Sequence, residues 1–93
     1  MLIKMTEVFL TPNTNTYSMR KVLVNPEHVT AVREDYSAKR ALTENRMPDG
    51  LSQSVSFSTL YMSSGQHGLN MTVVGTPGML EEKFMSGKKI LKG

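Results

Sequence analysis

The chain has no cysteine and no tryptophan among its 93 residues. Without thiols there is no disulfide scaffold, no thiolate zinc site, no iron–sulfur cluster and no cysteine nucleophile. The missing staple also makes a cytoplasmic location the expectation, because small secreted proteins usually rely on disulfides. Long apolar runs are missing too. Met1-Leu2-Ile3-Lys4-Met5-Thr6-Glu7 turns polar at its fourth residue, so neither a signal peptide nor a membrane span is expected there. Aromatic residues are limited to three Phe and three Tyr, and histidine to His28 and His67. Each histidine falls in a turn-like stretch, without the close-spaced ligands that a metal site needs. Both therefore read as solvated turn residues.

What is present is modest and polar. Hydrophobic residues make up 39% and charged residues 20%, a little below the globular average but outside the disordered range. Ser, Thr and Asn fill the difference, a profile that suits strands and turns. The formal net charge is only +3, which permits a nucleic-acid partner without demanding one. Eight methionines give an adaptable, gap-filling core. A chain of this length forms a single domain and buries roughly 60 to 65% of its unfolded surface. Its core is thin, and association with a partner or a second copy adds to it.

Alternation of apolar and polar residues marks strands over Leu2–Leu10, Tyr17–Asn25, Val29–Glu34, Ser52–Met62 and Leu69–Gly75. The first has apolar residues on both faces, as a central or helix-covered strand does. Asn25-Pro26-Glu27-His28 is a tight turn with Pro26 pre-setting its backbone. In Ser52–Met62 the apolar phase changes after Thr59, from Val55 and Phe57 to Leu60 and Met62, which predicts a β-bulge there. Gly65 and Gly68 supply positive φ for the hairpin that follows. Thr76 as N-cap and Pro77 at the first helical position open a C-terminal helix. Its residues Met79, Leu80 and Phe84 share one side, and Ser86-Gly87 forms the expected C-cap. The stretch 36–51 is expected to be a mobile connection, with a binding loop or partner contact as the alternative. Ser37 could cap two helical turns within it, and Met47-Pro48-Asp49-Gly50 closes it with a turn. Residues 87–93 form a basic tail.

Three segments carry a resemblance. Ile3-Lys4-Met5-Thr6, then Val24-Asn25-Pro26-Glu27-His28-Val29-Thr30-Ala31-Val32, then Leu60-Tyr61-Met62-Ser63-Ser64-Gly65 followed by Met71-Thr72-Val73-Val74 and a short acidic helix resemble the small FlbD/SwrD-type flagellar proteins and their uncharacterised, phage-like relatives. The resemblance covers about two thirds of the chain. It implies a small, non-enzymatic, β-rich module.

The residues offer little chemistry. Glu34 and Asp35 are neighbours on a strand and point to opposite faces, so they do not share a substrate. Glu81 and Glu82 complement the N-terminal end of a helix. No serine has a histidine and an acid in its sequence context, and Gly65-Gln66-His67-Gly68 lacks the residues of a phosphate loop. No catalytic, cofactor or metal residue is assigned, and no small-molecule substrate or membrane contact is expected.

The expected fold is α+β over residues 1–93: a five-stranded, mostly antiparallel curved sheet or small open β-barrel with one C-terminal helix. Its expected core is Ile3, Met5, Val22, Val24, Val29, Val32, Val55, Phe57, Leu60, Leu69, Met71, Val73, Leu80 and Phe84. The first functional expectation is an accessory interaction protein that binds a protein partner or itself, because an open sheet leaves an edge that invites pairing. The alternative is a small β module that binds nucleic acid through the basic clusters Arg20, Lys21, Lys39, Arg40, Lys88 and Lys89, with aromatic rings as stacking platforms.

Overall fold

The alternating segments form five strands, β1 (Ile3–Leu10), β2 (Tyr17–Val24), β3 (Val29–Glu34), β4 (Phe57–Met62) and β5 (Leu69–Val74). The computed structural model describes residues 1–63 and 69–92, with the side chains of 1–63 and 70–86. The expected hairpin turn around Gly65, His67 and Gly68 lies outside the described residues. Every strand pairing is antiparallel, and the order across the sheet is β2-β1-β5-β4-β3. The α+β expectation holds, and β1 is an interior strand, next to β5 at the centre. The barrel alternative does not hold: β2 and β3 are the two margins of an open sheet.

Two helices cover the sheet, one more than expected: α1 (Tyr36–Thr43) and α2 (Pro77–Lys92). They lie on opposite faces, and each closes its own core. On the α2 side, Met5, Val24, Leu60, Val73 and Leu80 are buried, with Ile3, Val22, Val29, Val32, Met62, Met71 and Phe84 packed around them. On the α1 side the buried cluster is Val8, Ala38, Ala41, Leu42, Met47 and Phe57, flanked by Tyr17, Leu51, Val55 and Val74. Every expected core residue with a described side chain falls in one of these clusters. Only Val55 and Phe57 fall in the α1 cluster; the remainder of that cluster has no counterpart in the sequence reading.

The stretch 36–51 is therefore a covering element more than a connection. Asp35, not Ser37, caps α1, with its carboxylate accepting the Ala38 N–H at 3.0 Å. Ala38, Ala41 and Leu42 then face the sheet. The Arg46 carbonyl accepts the Tyr17 N–H at 2.8 Å, which ties the end of the helix to the β2 margin. The return segment is held by Lys39, whose Nζ donates to the carbonyls of Gln53 and Val55 at 3.0 and 2.6 Å.

The β4 bulge expected near Thr59 is absent. Phe57 to Met62 pair with Val74 to Leu69 without a break. The apolar phase changes because both faces of β4 are covered: Phe57 looks toward α1, and Leu60 and Met62 toward α2. The register shift lies in β3 instead, between Val29 and Ala31. Val29 and Val32 both face α2 although they are three apart, so one extra residue has to be absorbed. The Thr30 hydroxyl, within the shift, donates to the Tyr61 carbonyl at 2.8 Å. β4 begins at Phe57 rather than Ser52, and α2 runs through the expected Ser86-Gly87 stop to Lys92. Gly75 turns the chain from β5 into α2 with φ +131°, and a Cβ there would press on Leu80 Cδ2 at 3.3 Å. Glycine suits that corner on both counts.

Candidate binding groove between α2 and β3

The flank of α2 that faces the β3 margin does not close onto it. A groove of about 450 Å³ remains. Pro26, Val29 and Val32 form one wall, and Pro77, Gly78, Glu81, Phe84 and Met85 the other. Each wall has a local cause. Pro26 opens a 3-10 turn over Pro26–His28, capped by the Asn25 side chain, which accepts the Glu27 N–H at 3.0 Å. That turn and the β3 shift bring Val29 and Val32 to one face. On the helix, Leu80 is buried and Phe84 half-buried, so positions one residue further round, Glu81 and Met85, stand at the mouth. Gly78 has no atom within 4 Å of where a Cβ would sit, so it leaves the groove open.

The walls are mostly apolar, and Glu81 is the charged residue that lines them. Glu81 lines the groove, and no Lys or Arg does so among the described residues. Glu27 and Glu34 flank the β3 wall in sequence, and both are exposed. Glu34 accepts the Tyr36 hydroxyl at 3.2 Å. Apolar walls with a carboxylate at Glu81 suit a segment that combines apolar and cationic side chains.

The β3 margin itself is guarded. The Asp35 N–H donates to the Phe57 carbonyl at 2.9 Å, so alternation turns the backbone groups of Val32 and Glu34 outward. The register shift and the charges of Arg33 and Glu34 shorten the usable edge, as expected where edge pairing is discouraged.

Of the six cations singled out in the sequence, the four with described side chains, Arg20, Lys21, Lys39 and Arg40, do not form one cluster. Arg20 and Lys21 lie on opposite faces of β2. Arg20 is engaged by Glu7 at 2.9 Å, with its guanidinium 4.3 Å from the Phe9 ring centroid. Lys21 donates to the Thr6 hydroxyl at 2.9 Å. Lys39 serves the return segment described above, and Arg40 is exposed on α1. Lys88 and Lys89 belong to α2, and their side chains lie outside the described ones.

One half-buried constellation escaped the sequence reading. Asp35 Oδ2 accepts hydroxyl hydrogens from Thr59 of β4 and Thr72 of β5, each at 2.9 Å. Burial pushes this carboxyl upward. The bonds from Ala38 N–H, Thr59, Thr72 and Ser37 N–H together outweigh it, so the group titrates below its ordinary value. Both oxygens are taken by donors, which makes Asp35 a bracket joining α1, β4 and β5. Glu34 points away from it to the α2 face, as strand neighbours must.

The groove too was hidden in sequence. Its one local signal is the three-residue spacing of Val29 and Val32, which marks the β3 shift. Among the described residues no helix is long and apolar enough to cross a membrane. No family model, curated protein or solved structure matches the chain.

Proposed function

We propose that this protein is a small non-catalytic interaction protein that holds a protein segment in the groove between α2 and β3. The observation that carries this reading is the groove itself: apolar walls of Val29, Val32, Phe84 and Met85 beneath a rim that includes Glu81. Such a site takes a helix or an extended chain whose apolar residues fill the floor and whose cations meet the rim. The guarded β3 edge favours a helix lying along α2 over an added strand. The dispersal of Arg20, Lys21, Lys39 and Arg40 gives the nucleic-acid alternative less to stand on, because phosphate binding draws on a continuous cationic track.

Gly78→Phe tests the reading. The residue is exposed with free space around it, so the ring fills the groove while the fold is kept. In a fluorescence-anisotropy titration, amphipathic peptides of apolar and lysine residues bind the wild-type protein, and the substitution weakens them about tenfold or more. Equal binding to both proteins overturns the reading. So does a preference for oligonucleotides that falls steeply between two salt concentrations and ignores Gly78→Phe.

A further inference from the structure

Of the two sheet margins, β2 is the longer and the more regular. It pairs with β1 over eight residues without a break, whereas β3 is interrupted by its register shift. The Thr11 N–H donates to the Thr16 carbonyl at 2.9 Å, which sets the phase of the β1–β2 ladder, and the Tyr17 N–H turns outward to the Arg46 carbonyl. By alternation Ser18, Arg20, Val22 and Val24 bond to β1, while Met19, Lys21 and Leu23 present their N–H and C=O groups outward. Those outward groups have no backbone partner among the described residues.

The side chains of the same three residues stand on the α1 face, beside Val8, Thr6 and Lys4 of β1. The covering layer stops short of them. A hollow of about 420 Å³ remains, with Met19, Leu51 and Val74 as its apolar walls. Met19 is 41% and Leu23 57% exposed. Lys21, between them along the edge, also lines the hollow, and no Asp or Glu does so among the described residues. Its ammonium donates to the Thr6 hydroxyl at 2.9 Å and has no carboxylate partner among the described residues.

We propose that β2 takes an extended acidic segment of another protein as a sixth, antiparallel strand. The backbone of the segment bonds to Met19, Lys21 and Leu23, and its residues opposite these three share their face. It carries Asp or Glu opposite Lys21 and apolar residues two positions to either side, opposite Met19 and Leu23. The same lysine turns away a second copy: β2 paired with its twin about Lys21, the middle of the free edge, sets two ammonium groups against each other. This site is separate from the groove between α2 and β3 and selects the opposite charge.

The test titrates the full chain with a fluorescein-labelled peptide, Thr-Val-Thr-Glu-Thr-Val-Thr, by anisotropy, and follows amide exchange by NMR. The peptide is expected to bind and to protect the amides of Met19, Lys21 and Leu23 from solvent. Lys21→Glu weakens binding about tenfold or more and prefers the peptide with lysine in place of its glutamate. Leu23→Pro, which removes an outward N–H that the fold does not use, abolishes binding. Circular dichroism verifies that both variants keep the fold, and Gly78→Phe leaves binding unchanged. No binding, unprotected amides at the three positions, or indifference to Lys21→Glu overturns the inference. So does loss of binding in Gly78→Phe, which would put the peptide in the groove. A dimer of the chain alone that Leu23→Pro dissolves overturns it as well, because a second copy then holds the edge.

Discussion

Asp35 joins three elements of this fold. It ends β3, caps α1 and binds hydroxyls from the two strands beneath the helix. Replacement by alanine removes a helix cap and two hydrogen bonds to a charged group. That costs about 2 to 3 kcal/mol in urea denaturation. Its pH dependence follows from the lowered titration point. A carboxyl whose folded-state value lies below its unfolded one stabilises the protein fully above the unfolded value, about 3.9. That stabilisation is lost as pH falls through the folded value. The wild-type protein should therefore lose stability on acidification below about pH 4, and Asp35→Asn should show a shallower acid limb. An identical limb in both proteins would remove Asp35 from this role. The sequence showed the acid but not its partners: Thr59 and Thr72 lie 24 and 37 residues away, and nothing local points to them.

At the scale of elements, α1 is the instructive case. Eight residues with a polar average make a marginal helix in isolation. It persists because Ala38, Ala41 and Leu42 find an apolar sheet face that is otherwise bare. Leu42→Ala should cost about 2 to 5 kcal/mol. Tyr36→Ala, at a side chain 70% exposed, should stay within about 0.5 kcal/mol. Thermal or urea unfolding of the pair checks the contrast, and comparable losses in both would deny α1 its place in the core. Ala38, Ala41 and Leu42 do follow the helical period, but two of the three are alanines and eight residues are too few for a helix to stand alone, which is why 36–51 reads as a connection. The phase change in β4 misled for a related reason. A strand covered on both faces shows apolar residues in both phases, and a bulge produces the same pattern. The real shift, in β3, is legible in the spacing of Val29 and Val32 once a single covered face is assumed. The α2-side core was legible throughout, because alternating β-branched residues and the Thr76-Pro77 start are local features.

The whole molecule is a sheet with two separate cores. No residue belongs to both clusters, and the sheet stands between Leu42 and Leu80. Leu42→Val and Leu80→Val should each cost about 1 kcal/mol. Their effects should add to within about 0.5 kcal/mol, since distant sites without shared partners are independent. A double-mutant cycle by urea denaturation measures this, and a larger coupling would mean that the sheet transmits strain between its faces. The two margins are managed differently. β2 is tied at Tyr17 to Arg46 and carries Lys21 at the middle of its free edge, while β3 is short and shifted. What remains open to a partner is the flank of α2 and the rest of the β2 edge, and that is where association is proposed.

The sequence by itself determined the five strands, the absence of thiol chemistry, the Thr76-Pro77 start of α2 and the composition of the α2-side core. These depend on spacing within ten or so residues, where periodicity and caps act. Only the tertiary structure decided the strand order, the placing of α1 on the second face, the Asp35 bracket and the groove. Each of these joins residues far apart in the chain, such as Pro26 and Val32 with Phe84 and Met85. Their meeting depends on which strands become neighbours and on how far each helix closes over the sheet. Local patterning leaves both undetermined, because the same alternation serves several strand orders equally well.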